Sequence, residues 1–355
     1  MAYTDIDKPS DYFETKLYTG NGGTQSITGL DFQPDWVVIK RRNAASGSQN
    51  MDSVRGATKK LAWNESSAEE SPGNILTSFD SGGFSVGNSA AVNGSSDTFV
   101  SWNWVAGTSF TNDASATGIG SIDSTGSVNQ DAGFSIVSYT GNSPTATTIK
   151  HGLNSVPQMI IFKRRVGAGN WSTFHQATGN TKALSLNTTA APDTSAGYFN
   201  NTTPTSSVFS VANSGDTNSN GNAMIAYCFA DVKGYSKFGS YVGNGNVDGT
   251  FLYTGFAPAF FMLKRTDSTN SWRMWDNKRD PFNVRDTSIN ANESDAEYTD
   301  ASVYMDFVSN GVKFRTTGDN VSGGTYIFMC FAENPFVTST GVPATARWLC
   351  SYLLT

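Results

Sequence analysis

The stretch Pro157-Gln158-Met159-Ile160-Ile161-Phe162-Lys163-Arg164 decides how this chain is read, because its pattern occurs three times. A proline leads into an apolar run that ends on a basic pair. Pro34 leads Trp36-Val37-Val38-Ile39 into Lys40-Arg41, and Pro258 leads Phe260-Phe261-Met262-Leu263 into Lys264-Arg265. Apolar runs this short, bounded by turn signals, predict buried strands rather than helices. The three lysines stand 123 and then 101 residues apart.

Other landmarks keep the same order. Upstream lie Tyr18-Thr19-Gly20-Asn21, Tyr139-Thr140-Gly141-Asn142 and Tyr241-Val242-Gly243-Asn244, spaced by 121 and 102 residues. Asn and Gly here are turn chemistry. Downstream come the Asn-rich turns at Asn64, Asn187 and Asn292, and strand starts at Gly83-Phe84 and Gly311-Val312. Each copy closes on an aromatic strand: Phe99–Trp104, Ile225–Phe229 and Tyr326–Phe331. The chain therefore reads as three tandem units of about 100 residues, a size that can bury its own core. Cys228 and Cys330 hold the same place in different units, so they are expected to be small buried groups rather than a disulfide.

Composition agrees with an all-β fold. Gly, Asn, Ser and Thr are weak helix formers, and aromatic residues, 12% of the 355, suit half-buried pleated surfaces. Seven to ten short strands per unit predict a two-layer antiparallel sandwich, jelly-roll or lectin-like. The one short-helix candidate is Ser53–Leu61. Residues 1–12 are expected to form an N-terminal arm, 13–106 the first sandwich, 107–131 an exposed linker poor in large apolar groups, 132–232 the second sandwich, 233–336 the third, and 337–355 a C-terminal tail whose Arg347–Leu354 stretch can dock on a neighbour.

A net charge of −6 gives no electrostatic case for nucleic-acid binding. No run of about 18 apolar residues predicts a membrane span, and the polar start MAYTDIDKPS carries no secretory signal. Two histidines, His151 and His175, and three isolated cysteines give no metal-ligand spacing, so neither metal nor cofactor is expected, although Asn/Asp-rich loops permit Ca²⁺.

The recurring Lys163-Arg164 and Lys264-Arg265 pairs are candidates for gripping an anionic sugar or phosphate, against the plainer reading that they end a buried strand beside carboxylates. Trp171, Trp272 and Trp275, with Trp63, are candidates for stacking on sugar rings, against core packing. Asp52/Arg55 recur as Asp276/Arg279 but become His175/Thr178 in the second unit. They predict a surface ion pair worth at most about 1 kcal/mol. The acidic run Glu293–Asp300 reads as a solvated loop. No nucleophile elbow or phosphate loop is present, and no enzymatic activity is expected.

Three stretches carry a family resemblance: Tyr3–Leu17, Lys233-Gly234-Tyr235-Ser236-Lys237-Phe238-Gly239-Ser240-Tyr241, and Phe331-Ala332-Glu333-Asn334-Pro335-Phe336. With the repeat motifs they resemble the tandem-repeat domain of structural proteins from marine tailed bacteriophages, including those of cyanobacteria. The resemblance implies a virion component assembled in the host cytoplasm, as a tail-fibre or receptor-binding subunit. Its implied partners are other virion proteins, further copies of itself (a trimer, as fibres are usually built) and a host surface glycan. A capsid decoration or head protein and a polysaccharide depolymerase are the alternatives.

Overall fold

The computed structural model describes residues 3–143 and 146–343. The chain adopts the expected all-β sandwich architecture. The main antiparallel sheet of each repeat contains four strands in one order: opening, closing, Pro-led, and the strand that follows the Pro-led one. In the first unit these are Phe13–Thr19, Thr98–Trp104, Trp36–Arg41 and Gln49–Asp52. In the second they are Phe134–Thr140, Ala223–Phe229, Met159–Arg164 and Ser172–His175. In the third they are Ser236–Val242, Thr325–Pro335, Phe256–Arg265 and Arg273–Asp276. A smaller sheet covers one face of each: Gln25–Thr28 with Gly83–Val86 and Leu76–Asp80, Thr147–Lys150 with Val208–Val211, and Phe251–Tyr253 with Gly311–Phe314 and Met305–Val308.

The opening turn explains its own sequence. Tyr18, Tyr139 and Tyr241 each donate their hydroxyl to a backbone oxygen, of Val92, Thr217 and Asp319 respectively, at 2.7, 2.5 and 2.5 Å. The backbone N–H of Asn21, Asn142 and Asn244 donates to the side-chain oxygen of a fully buried asparagine, Asn93, Asn218 or Asn320. Gly20, Gly141 and Gly243 pass so close to that segment that a Cβ would lie 2.2–2.3 Å from a carbonyl oxygen, which only glycine avoids.

Side chains alternate along a strand, so each main sheet has two faces, and both are buried. Val37, Ile39 and Phe99 pack under the first unit's small sheet. Ile160, Phe162 and Cys228 do so in the second, and Phe261, Leu263 and Cys330 in the third. The opposite faces meet in one shared core, where Trp36 and Trp104 join Tyr227, Phe229, Phe260 and Phe331. Trp36 stacks on Tyr227 at 4.4 Å, and Phe331 lies 5.7 Å from Trp104 and 6.1 Å from Phe229. The three sandwiches are thus not self-contained domains, because the second face of every main sheet packs into one core shared with the other two units.

Residues 107–131 are not an exposed linker. Thr108–Asn112 pairs with Ser124–Asn129, which pairs with the opening strand Phe134–Thr140; with Lys182–Ser185 and Asp193–Thr194 on the opposite side, they widen the second sheet to eight strands. Phe110 and Val128 supply their apolar anchors against that unit's core. Ser53–Leu61 is turn and bridge rather than helix, whereas four-residue helices occur at Ala90–Asn93, Ala114–Thr117 and Ala196–Phe199. In the N-terminal arm, Thr4 and Ile6 are buried, and Asp5 N–H and Thr4 Oγ1 both donate to Lys233 O. Cys350 and the docking stretch Arg347–Leu354 lie outside the described residues.

Candidate functional site

The candidate site residues gather where one unit meets the next, and they recur in cyclic order. Each basic pair begins with a fully buried lysine. Lys163 of the second unit donates to Ser66 O of the first at 2.8 Å and to its own Gly169 O at 2.5 Å. Lys264 of the third donates to Thr189 O of the second at 2.8 Å and to Asn270 O at 2.5 Å. Lys40 of the first closes the ring onto Glu293 O of the third and onto Ser46 O. The acceptors Ser66, Thr189 and Glu293 belong to the three Asn-rich turns. Those turns are braced because Asn64, Asn187 and Asn292 accept from the backbone N–H of Ser48, Trp171 and Trp272. Burial pulls all three ammonium groups down to about 8.

This placement corrects the expectation that Lys163 and Lys264 could grip an anion, since both are spent on backbone carbonyls inside the protein. Their neighbours are half-buried. Arg164 reaches Ser219 Oγ at 3.4 Å, and Arg265 holds Asp267 through two bonds of 2.9 and 2.8 Å. Trp171, Trp272 and Trp275 are at most 1% exposed, which leaves no ring face for a sugar. Trp171 donates across the interface to Ala62 O at 2.7 Å, and Trp272 to Ser185 O at 3.1 Å. Trp275 packs in the third unit's own core, and Trp63 is buried in the shared one.

The Asp52/Arg55 pair is not on the surface. Both side chains have no solvent exposure, and Asp52 also accepts from the second unit's Tyr227 hydroxyl at 2.6 Å. Arg55 contacts Glu69 at 3.2 Å, and Glu69 binds Arg165 of the second unit through two bonds of 2.9 Å. Burial works against the Glu69 charge, but Arg165 and Arg55 outweigh it and hold the carboxyl below its ordinary value. The same four-residue network joins the third unit to the first. Asp276 and Arg279 are again fully buried, Asp276 accepts from Trp102 Nε1 at 3.2 Å, and Glu297 accepts from Arg42 at 2.8 Å. Glu297 also corrects the reading of Glu293–Asp300 as merely solvated. Glu69 and Glu297 were detectable in sequence, since each stands five residues after its turn asparagine, as Arg42 and Arg165 each stand two after their lysine.

Both histidines and the two described cysteines are locked inside. His151 and His175 are fully buried, each accepting a backbone N–H at Nδ1, and burial lowers both to about 4. Cys228 and Cys330 are buried and free, and burial pushes both thiols well up. Among the described residues no cluster of acidic, His or Cys side chains has metal-binding geometry, and no helix is long and apolar enough to cross a membrane.

Fold and interfaces together define an all-β protein of three sandwich units closed cyclically around a shared core. Residues 8–335 match the model of a domain of unknown function, DUF7483, and the chain belongs to that family. No curated protein matches it.

Proposed function

We propose that this chain is a structural component of a tailed-bacteriophage particle, displayed as a tail-fibre or receptor-binding subunit that contacts the host surface. The observation that carries this reading is the use made of its chemistry. The lysines, the Asp–Arg–Glu–Arg networks and the interface tryptophans all hold one unit to the next. A molecule built this way is a rigid scaffold that presents polar loops, which suits display and binding rather than turnover. The resemblance of the repeat motifs to those of phage structural proteins supplies the biological setting.

The test is location and copy number. Antibody labelling of purified particles with electron microscopy should place the protein on the tail at a few to tens of copies, and the purified protein should adsorb to host cells and block infection. Hundreds of copies on the head would replace this reading with capsid decoration. Cleavage of host glycan by the purified protein would replace it with a depolymerase.

A further inference from the structure

The cyclic arrangement is broken at one interface, between the second and third units. Where the other two carry Asp, Arg, Glu and a partner Arg, this one carries His175, Thr178, Pro192 and Thr266. The alignment is unambiguous: Pro192 stands five residues after Asn187, as Glu69 does after Asn64 and Glu297 after Asn292, and Thr266 stands two after Lys264, as Arg42 does after Lys40. Pro192 lacks both the carboxylate and the N–H. At the other two interfaces that N–H also crosses, from Glu69 to Arg165 O at 2.9 Å and from Glu297 to Arg42 O at 3.0 Å. All four charged positions are replaced together, so no orphaned buried charge is left behind.

A cleft of about 530 Å³ opens where the network is missing, and Thr178, Pro192 and Thr266 line it. Its volume is that of a small-ligand site. We propose that this cleft binds a neutral, hydroxyl-rich ligand, a short saccharide. Ser240, Thr325, Asp267 and Lys182 complete the polar lining, while Tyr326 and Ile327 lie beneath it. Hydroxyls that both donate and accept match those of a sugar. The Thr266 and Thr325 hydroxyls lie 2.8 Å apart, and Asp267 is fixed by Arg265 and by Thr325 N–H at 3.0 Å, so the acceptors are preorganised. Arg265 already compensates the Asp267 charge, which leaves Lys182 as the lining's lone cation. A phosphate or sulfate is recognised through several positive donors, so the lining favours an uncharged ligand.

The cleft stands on geometry alone; the saccharide assignment rests on the host-surface reading above. The probe is a panel of neutral hexose oligosaccharides two to four rings long, screened by saturation-transfer NMR against the full-length protein. At least one should bind. The double variant T266R/P192E, which writes the missing pair back, should weaken it at least tenfold without lowering the melting temperature. S240W, on the exposed rim, should do the same by filling the cleft should the double variant fail to fold. No binding by the wild-type protein, or binding unchanged in the folded variants, overturns the proposal. Adsorption to host cells separates the two readings. If wild type adsorbs but no panel member binds, or binding is unchanged in the folded variants, the cleft assignment fails and the receptor reading stands. If the panel binds in the cleft but wild type does not adsorb, the receptor reading fails alone.

Discussion

Replacing Asp52 by alanine should cost far more than a surface ion pair is worth. The carboxylate has no solvent exposure and accepts from Arg55 Nε, from Arg55 N–H at 2.8 Å and from Tyr227 Oη at 2.6 Å. Its removal strands a guanidinium that is itself unexposed, which typically costs about 3–5 kcal/mol. The bereft Tyr227 hydroxyl adds roughly 1–3 kcal/mol. Arg55 keeps Glu69 at 3.2 Å and Asn50 O at 2.9 Å, which offsets part of the loss. The expected net cost is about 4 kcal/mol. Urea unfolding followed by tryptophan fluorescence measures it, because Trp36 stacks directly on Tyr227. The informative control is D52H/R55T, which installs the second unit's residues and removes both charges at once. It should be the milder change despite altering two side chains. A loss below about 1 kcal/mol for D52A, as for an exposed pair, or a double variant worse than the single, would refute the buried-network account.

Three further outcomes are expected. The second unit excised as residues 107–232 should fail to fold, as judged by near-ultraviolet circular dichroism. Phe134, Ile136, Met159, Ile161, Tyr227 and Phe229 would lose the shared core, and at about 1.5–3 kcal/mol each they carry as much as a typical domain's whole stability. Melting temperature against pH should show two windows. Lys40, Lys163 and Lys264 titrate at about 8 in the fold against 10.5 unfolded. Between those values only the unfolded chain holds the protons, so these lysines make stability rise with pH there, and K264M should remove about a third of the rise. His151 and His175 titrate at about 4 against 6.5, so stability falls on acidification between those values, and H175N should flatten part of that fall. In a C350S variant, Cys228 and Cys330 should resist an aromatic disulfide reagent until the protein is denatured, since both are buried with raised thiols.

The strands were legible because their landmarks recur, and the opening turn kept its Tyr-x-Gly-Asn signature because the Tyr hydroxyl, the close glycine and the Asn backbone each have one structural task. The shared core was half-legible. Trp36–Ile39 and Met159–Phe162 run apolar without alternation, which signals burial on both faces, but nothing local says that another unit covers the second face. The strands at 108–112 and 124–129 were missed because Ser, Thr and Gly dominate them, and their stability comes from pairing with each other and, through Ser124–Asn129, with Phe134–Thr140, rather than from their own side chains. The site suffered most. Lys, Asp and Arg read as surface residues by default, and only partners such as Ser66, Glu293 and Tyr227, up to 253 residues away, make their burial affordable.

Internal repetition assigns different tasks to residues that look alike. A buried lysine recurs at all three interfaces, and each ammonium donates to one carbonyl of its own unit and one of the neighbour. That contact tolerates no substitution by sequence drift without stranding two acceptors, so it persists in every copy. The Asp–Arg–Glu–Arg network is different, because it can be deleted cleanly if all four members go together. The chain uses that freedom once. The lysine at position 264 still clamps the second unit to the third, while three of the four residues that replace the network line an open cleft. The clamp keeps the ring closed, and this closure lets one interface give up its charges and present a recess without the molecule coming apart.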